Sequence, residues 1–441
     1  MIQTLQLILS LSILVVLHEF GHYITARFFG CRVEKFYLFM DWNFALFKKK
    51  IGETEFGIGW LPLGGYVKIA GFIDESMDAE GLESPPQPWE LRSKPAWQRL
   101  IVMLGGIVVN ILLAWFIYSA LLFTWGEKYT PMDAFNHGFS FNEGGEKLGF
   151  VDGDQILAID GDDLIEYNPM LIMSAILFEG AQEVTVLRDG RRNSIKIDSK
   201  NTNDVINNIQ NYVGNILEPR IPWVISGFSE NSIGKKNGLK EGDRIVAIND
   251  FETAFISNEA LVYLKSQAGK TINIKIKRGG DGAEELTMNL GDDGLIGVTH
   301  LISEYERLKS YSFLASIPAG LVKTKNMVKM YWGQVKTIFN PKTGGYKHVG
   351  GVISIGKMFP SNWDWFSFWS MTALLSVILA IMNLLPIPAL DGGHALIAVG
   401  EMITGKKIPI KVLMPLQIAG MIMLFALLIY ANGMDVIRLF N

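Results

Sequence analysis

Two histidines with a glutamate beside the first, His18-Glu19-Phe20-Gly21-His22, form an HExxH pattern inside an apolar stretch. On a helix, positions four apart share a face, so both imidazoles can reach one metal ion. Glu19 then stands beside the first ligand, where a carboxylate can act on water polarised by the metal. The surrounding residues Ile2–Phe29 are apolar enough to cross a bilayer, and ionisable groups at membrane depth are costly unless they have a task. The chemistry implied is zinc-assisted hydrolysis within a membrane.

Two histidines do not complete such a site, because catalytic zinc takes three protein ligands and keeps one position open. Asp391 is the third candidate, in the segment Asn383-Leu-Leu-Pro-Ile-Pro-Ala-Leu-Asp-Gly-Gly-His394. Pro386 and Pro388 stop the preceding helix, and irregular backbone at membrane depth is tolerated only where it is buried or lines a wet cavity. His394 as a fourth ligand would close the open position, which makes it a surrounding histidine. His137, His300 and His348 show no ligand spacing.

Four segments must carry these groups: Ile2–Phe29, Leu100–Trp125, Trp365–Leu385 and Val412–Tyr430, each near the roughly 20 residues a bilayer core requires. The 441 residues are 49% hydrophobic and 19% charged, with a mean hydropathy of +0.23. These figures suit a membrane-embedded part joined to a soluble insert. A net charge of −4 supplies no basic footprint for nucleic acid. Cys31 is the single cysteine, so no intrachain disulfide can form. The apolar N-terminus lacks an early Lys or Arg and a small-residue cleavage site, and is expected to be a span rather than a signal peptide.

Basic residues crowd the first short loop (Arg32, Lys35, Lys48, Lys49, Lys50, Lys68, Arg92, Lys94) and the last (Lys406, Lys407, Lys411). The positive-inside rule makes both loops cytoplasmic and puts the termini and the long insert outside. Spans one and three then run parallel, and their inner ends share a depth. His18 lies nine residues before Arg27, roughly 13 Å from the inner interface at helical rise.

The insert contains a repeat: residues 147–161 match residues 236–250, roughly 90 positions apart, each followed by a helix pattern and then a strand pattern. The phrase Gly238-Leu-Lys-Glu-Gly-Asp-Arg-Ile-Val-Ala-Ile-Asn249 resembles the PDZ domains of bacterial exported proteases. PDZ grooves take an extended peptide as an added strand, or the copies act only as spacers. Leu314–Phe339, with Lys323, Lys325, Lys329 and Lys336, has the pattern of a basic amphipathic helix on the membrane surface, there to couple the repeats to the core or simply to pack against it.

HExxH in the first span, NxxPxPxLDGG after a later one, and two PDZ-like repeats between them resemble the site-2 protease family of intramembrane zinc metalloproteases. The resemblance runs over essentially the whole chain. It implies a polytopic α-helical membrane protein with four spans, a membrane-re-entrant β hairpin at about 53–70 and two inserted α+β PDZ domains. The expected divisions are a core half at 1–128, PDZ-like domains at 129–214 and 215–305, a connector at 306–362 and a second core half at 363–441.

By the same resemblance, His18, His22 and Asp391 bind zinc, Glu19 is the general base, Asn383 positions substrate and Asn110 supports the site. Gly105-Gly106-Ile107 lacks the proline that relatives carry there, and Val352 stands where they often have proline. A transmembrane substrate must unwind before attack. Gly57, Ile58 and Gly59 are expected on an edge strand that pairs with it, the glycines allowing close approach. The substrates implied are single-pass membrane proteins such as anti-sigma factors or remnant signal peptides, at a bacterial inner membrane. A non-catalytic PDZ scaffold with a structural zinc is the other reading; Glu19 argues against it, since a structural site has no use for a base.

Overall fold

The computed structural model describes residues 2–72, 85–212, 214–280, 282–299, 305–339 and 349–440; His300 and His348 fall outside them. The chain divides into two compact units, one of residues 1–126 and 310–441, the other of residues 127–309.

The first unit contains α1 (Ile2–Phe28), β1 (Val33–Ile51), β2 (Thr54–Ile69) and α2 (Ala96–Trp125). After the insert come α3 (Phe313–Phe339), the short α4 (Val352–Lys357), α5 (Trp365–Leu384), α6 (Asp391–Thr404) and α7 (Ile410–Phe440). Among the described residues four helices are long and apolar enough to cross a membrane: α1, α2, α5 and residues Lys411–Arg438 of α7. Lipid tails are as apolar as leucine, so such helices associate through close packing and polar contacts rather than through the hydrophobic effect.

Glycines supply the close packing. A Cβ on Gly21 of α1 would overlap the Gly105 carbonyl of α2, and one on Gly320 of α3 would strike Ser119. A Cβ on Gly420 of α7 would collide with the Pro388 carbonyl. α3 does not lie loose on a surface: Ser316, Gly320, Thr324 and Val335 are buried along one face, and Trp115 Nε1 donates to the Ile317 carbonyl at 2.8 Å. Its lysines leave room for this seam because Ser316, Gly320 and Thr324 recur every four residues.

The hairpin is larger than the sequence pattern suggests, running from Val33 to Ile69. Each strand bends and pairs twice, so four segments lie side by side in the order 65–69, 33–38, 54–59 and 45–51. Phe39 and Asn43 adopt positive φ where β1 turns. Gly57 pairs with both Tyr37 and Lys48, and Ile58 with both Leu38 and Phe47. The expected edge at Gly57–Gly59 is therefore an inner strand. Its glycines admit the Tyr37 ring and the Met40 backbone, which leaves no room for a Cβ. The segment beginning at Gly65 pairs on one side only.

In the second unit, two four-stranded antiparallel sheets have the same strand order. One contains Asp162–Asp163, Gln155–Ile159, Glu183–Arg188 and Arg191–Lys196; the other contains Phe251–Glu252, Arg244–Ile248, Thr271–Lys277 and Ala283–Asn289. Each has its own apolar core, around Val184 and Val186 in the first and Ile245 and Ile274 in the second. The insert's two ends meet, Glu127–Tyr129 pairing with Arg307–Lys309.

The repeated Gly-Asp step has a structural reason. Asp154 and Asp243 are each buried and held by both arms of an arginine fork, from Arg188 and Arg278, with all four bonds at 2.7 Å. Burial alone would raise the Asp243 carboxyl. The Arg278 bonds, the Lys240 amide and the two cations outweigh it and hold the group below its usual range. A depressed carboxyl stabilises the fold above its unfolded value of about 3.9, and that contribution fades as pH falls toward the folded value. Asp243→Asn should thus destabilise the second repeat by on the order of 2–3 kcal/mol at neutral pH. The deficit should shrink in acid, as hydrogen exchange across Arg244–Ile248 measured against pH would reveal.

Candidate active site

α1 carries His18 and His22 on its buried side, and the two Nε2 atoms lie 3.3 Å apart. Asp391 Oδ2 lies 3.2 Å from each of them. Among the described residues this is the group of three such side chains close enough to share an ion. The three atoms form a nearly equilateral triangle. Donors about 2.0–2.1 Å from a tetrahedral zinc stand ~3.3 Å apart, so the triangle has the edge length of one face of such a site.

Two further observations test the fit. Asp391 Oδ2 is buried and has no hydrogen-bond partner, although it points at two ring nitrogens. A buried carboxylate oxygen left in that state is costly unless a cation completes it. In addition, His22 Nδ1 donates to the Val102 carbonyl at 2.8 Å, which leaves the Nε2 lone pair directed into the triangle. The donor set suits zinc.

Asp391 reaches this place because α5 ends at Leu384 and the chain doubles back through Pro386 and Pro388 before α6 begins at Asp391. Ala389 has a φ of 84°, a backbone state that an L-residue adopts only when its surroundings impose it. Gly392 and Gly393 have to be glycine, since a Cβ on either would overlap the carbonyls of Leu384 or Ile387. The Asp-Gly-Gly step is what lets a new helix start against the end of the old one.

α2 braces both imidazoles. Val102 holds His22, and the fully buried Asn110 amide lies 3.0 Å from His18 Nδ1. Asn110 Oδ1 has no partner; turning the amide over lets it accept from Nδ1–H and frees His18 Nε2 for the triangle. Ser376 of α5 donates to the Asn110 carbonyl at 2.7 Å. Gly106 lies directly behind the rings, where a Cβ would sit 2.5 Å from His22 Nε2 and 2.6 Å from His18 Cε1. From the sequence, Gly105-Gly106 registers only as a departure at a missing proline. The signal available was a Gly pair in an apolar span beside a residue pair that needs room.

A cavity of about 300 Å³ opens over the triangle. Half-buried Glu19 lines it beside His18, and Asn383 Nδ2 lies 3.2 Å from His18 Nε2 on its wall. The hairpin contributes Gly65, Tyr66 and Val67, and α7 contributes Met421 and Phe425. Gly57, Ile58 and Gly59 are not among the lining residues. His394 does line it, with its Nε2 3.2 Å from the Gln417 amide, but it is not part of the triangle.

The profile of peptidase family M50 matches residues 6–427. The chain is 28% identical to the Regulator of sigma E protease of Haemophilus influenzae over 98% of both proteins. It is also 30% identical, over 98% of both, to a Pasteurella multocida protein whose name places it among the zinc metalloproteases. A Neisseria meningitidis protein with the same kind of name is 27% identical over 92% of both.

Gly106→Ala should push both imidazoles off the triangle while leaving the span apolar. Zinc content of the purified protein, read by elemental analysis, is expected to fall at least tenfold below that of the parent, a loss of the size seen when support for a metal ligand is removed.

Proposed function

Since the chain belongs to peptidase family M50 and is a zinc-dependent metalloprotease, we propose that His18, His22 and Asp391 hold the zinc and that Glu19 is its general base. The observation that carries this reading is the triangle of donor atoms at 3.2–3.3 Å, drawn from residues more than 360 positions apart in the chain. Zinc, when bound, supplies a Lewis acid that makes water acidic near pH 7 and polarises a carbonyl.

The chain's own residues do the rest. Glu19 accepts a proton from the attacking water at its carboxylate and delivers it to the amide nitrogen as the C–N bond breaks. One peptide bond and one water thus become a carboxylic acid and an amine, which then exchange a proton to give carboxylate and ammonium. The Asn383 amide, on the cavity wall, can donate to the oxygen of the bond under attack. The apolar flank from α7 keeps bulk water away and strengthens both interactions.

Cleavage requires an extended substrate backbone. Of the two outer strands of the hairpin, 65–69 and 45–51, only the one that starts at Gly65 lines the cavity, so an unwound transmembrane segment would pair there rather than at Gly57–Gly59. In this reading the hairpin is re-entrant. Its exposed Trp42, Phe44 and Leu46 are a tip suited to lipid. The four spans, and the similarity to the Haemophilus influenzae protein, support a bacterial membrane location.

Beyond that, we place the protein in the inner membrane with the insert outside and the site toward the cytoplasm, because Lys and Arg cluster in the short loops. The substrates are single-pass membrane proteins of the anti-sigma type or remnant signal peptides. The two repeated sheets are PDZ domains that bind an extended terminus or exclude bulky ones.

Glu19→Gln should keep zinc and abolish cleavage of a single-pass substrate in proteoliposomes; undiminished cleavage would remove Glu19 from the mechanism. Gly65→Ala would bring a Cβ within 2.7 Å of Val15 and of the Tyr37 carbonyl. That displaces the strand, and kcat/KM for a folded helical substrate is expected to fall roughly tenfold or more with zinc content unchanged.

A further inference from the structure

α6 rests on α2, with Ala395 and Ala398 on its buried side and Gly392 against the end of α5. Small side chains let two backbones approach and set the distance between them. A smooth alanine face leaves movement along the helix axis to be limited by polar contacts. Yet Asp391, at the first position of α6, must keep Oδ2 within a few tenths of an ångström of its place in the triangle.

At the other end of α6 one contact does carry register. Glu401 is 8% exposed and pairs with Arg99 of α2. The helix end is closed around the same residue: the Gly405 amide donates to the Glu401 carbonyl at 2.9 Å, and the Ile408 amide to its Oε1 at 3.3 Å. Lys407 Nζ donates to the Arg92 carbonyl at 3.0 Å, a second tie between the two chain segments. Arg99 Nε is buried without a partner, so the pair is not an optimised source of stability. With their side chains 17% and 7% exposed, Arg99 and Glu401 form a mostly buried pair whose geometry fixes direction and register as well as adding attraction.

The position of Arg99 on α2 explains what the register serves. Val102, which holds His22, is one turn further along, and Asn110, which faces His18, lies two turns beyond that. We propose that Arg99 and Glu401 are a positioning pair that fixes α6 against α2, and thereby sets Asp391 against the two histidines. α2 would then gauge all three ligands: one by a carbonyl, one by an amide and one through a helix pinned by an ion pair. This rests on the reading that His18, His22 and Asp391 hold zinc.

The test is zinc affinity of the full-length protein in nanodiscs, by competition with a chromogenic chelator, alongside thermal unfolding of the zinc-free form. Arg99→Met and Glu401→Leu should each weaken zinc at least tenfold, as loss of ligand support does elsewhere. The double variant R99M/E401L replaces the ion pair with apolar contact, which commonly restores stability. It should recover the parent's melting temperature but not its zinc affinity. Arg99→Lys, which keeps the charge and can keep the single contact to Glu401, should stay within about threefold of the parent.

Parent-like zinc affinity in R99M and E401L would overturn the proposal. So would affinity that returns in the double variant together with stability, since the pair would then act only on folding. A parent protein that binds no zinc would instead overturn the ligand assignment on which the proposal rests.

Discussion

One geometric demand governs the membrane unit: three donor atoms from two distant segments must hold a triangle with edges of 3.2–3.3 Å. Two of them come from one helix and are related by a single turn, so their spacing is intrinsic to α1. The third arrives after a broken helix and a tight reversal. Nothing local sets its distance from the others. α2, which contributes no atom to the triangle, places Val102 and Asn110 against the two histidines and pairs through Arg99 with the helix that starts with Asp391.

The surrounding solvent decides how this can be done. Between helices in lipid, apolar burial distinguishes one arrangement from another only weakly, and close backbone approach with a few polar contacts takes its place. Gly21 against Gly105, Gly106 behind the imidazoles, and Gly420 against Pro388 are such approaches. The buried polar contacts are equally specific: Ser376 to the Asn110 carbonyl, and Asp435 to the amide of Ser354 at 2.8 Å, which ties α7 to α4. Each fixes a direction as well as a distance.

The insert obeys different rules. Two small sheets each bury their own apolar core, and each anchors its Gly-Asp turn with one buried carboxylate and one arginine fork. The repetition visible in the sequence is repetition of this anchor as well as of the strand pattern. Register is set here by strand pairing and side-chain alternation rather than by glycine-mediated helix crossings.

Much of this protein can be read from its amino acids alone. His18, Glu19 and His22 declare their chemistry because helical spacing is a local property, and Asp391 stands out because two prolines and two glycines surround a lone carboxylate. The four spans follow from apolar length, and the repeat from self-similarity. Three things could not be read. Gly57–Gly59 has the composition of an edge, but whether a strand is inner or outer depends on how often β1 and β2 fold back on each other. Gly106 looks like a neutral small residue until two imidazoles are placed behind it. Arg99 and Glu401 look like ordinary loop-proximal charges until α6 lies on α2. Composition and periodicity determined which groups exist and which helices carry them. Only the packed structure decided their distances, because separation across more than 360 residues is set by contacts between helices rather than by the geometry within any one of them.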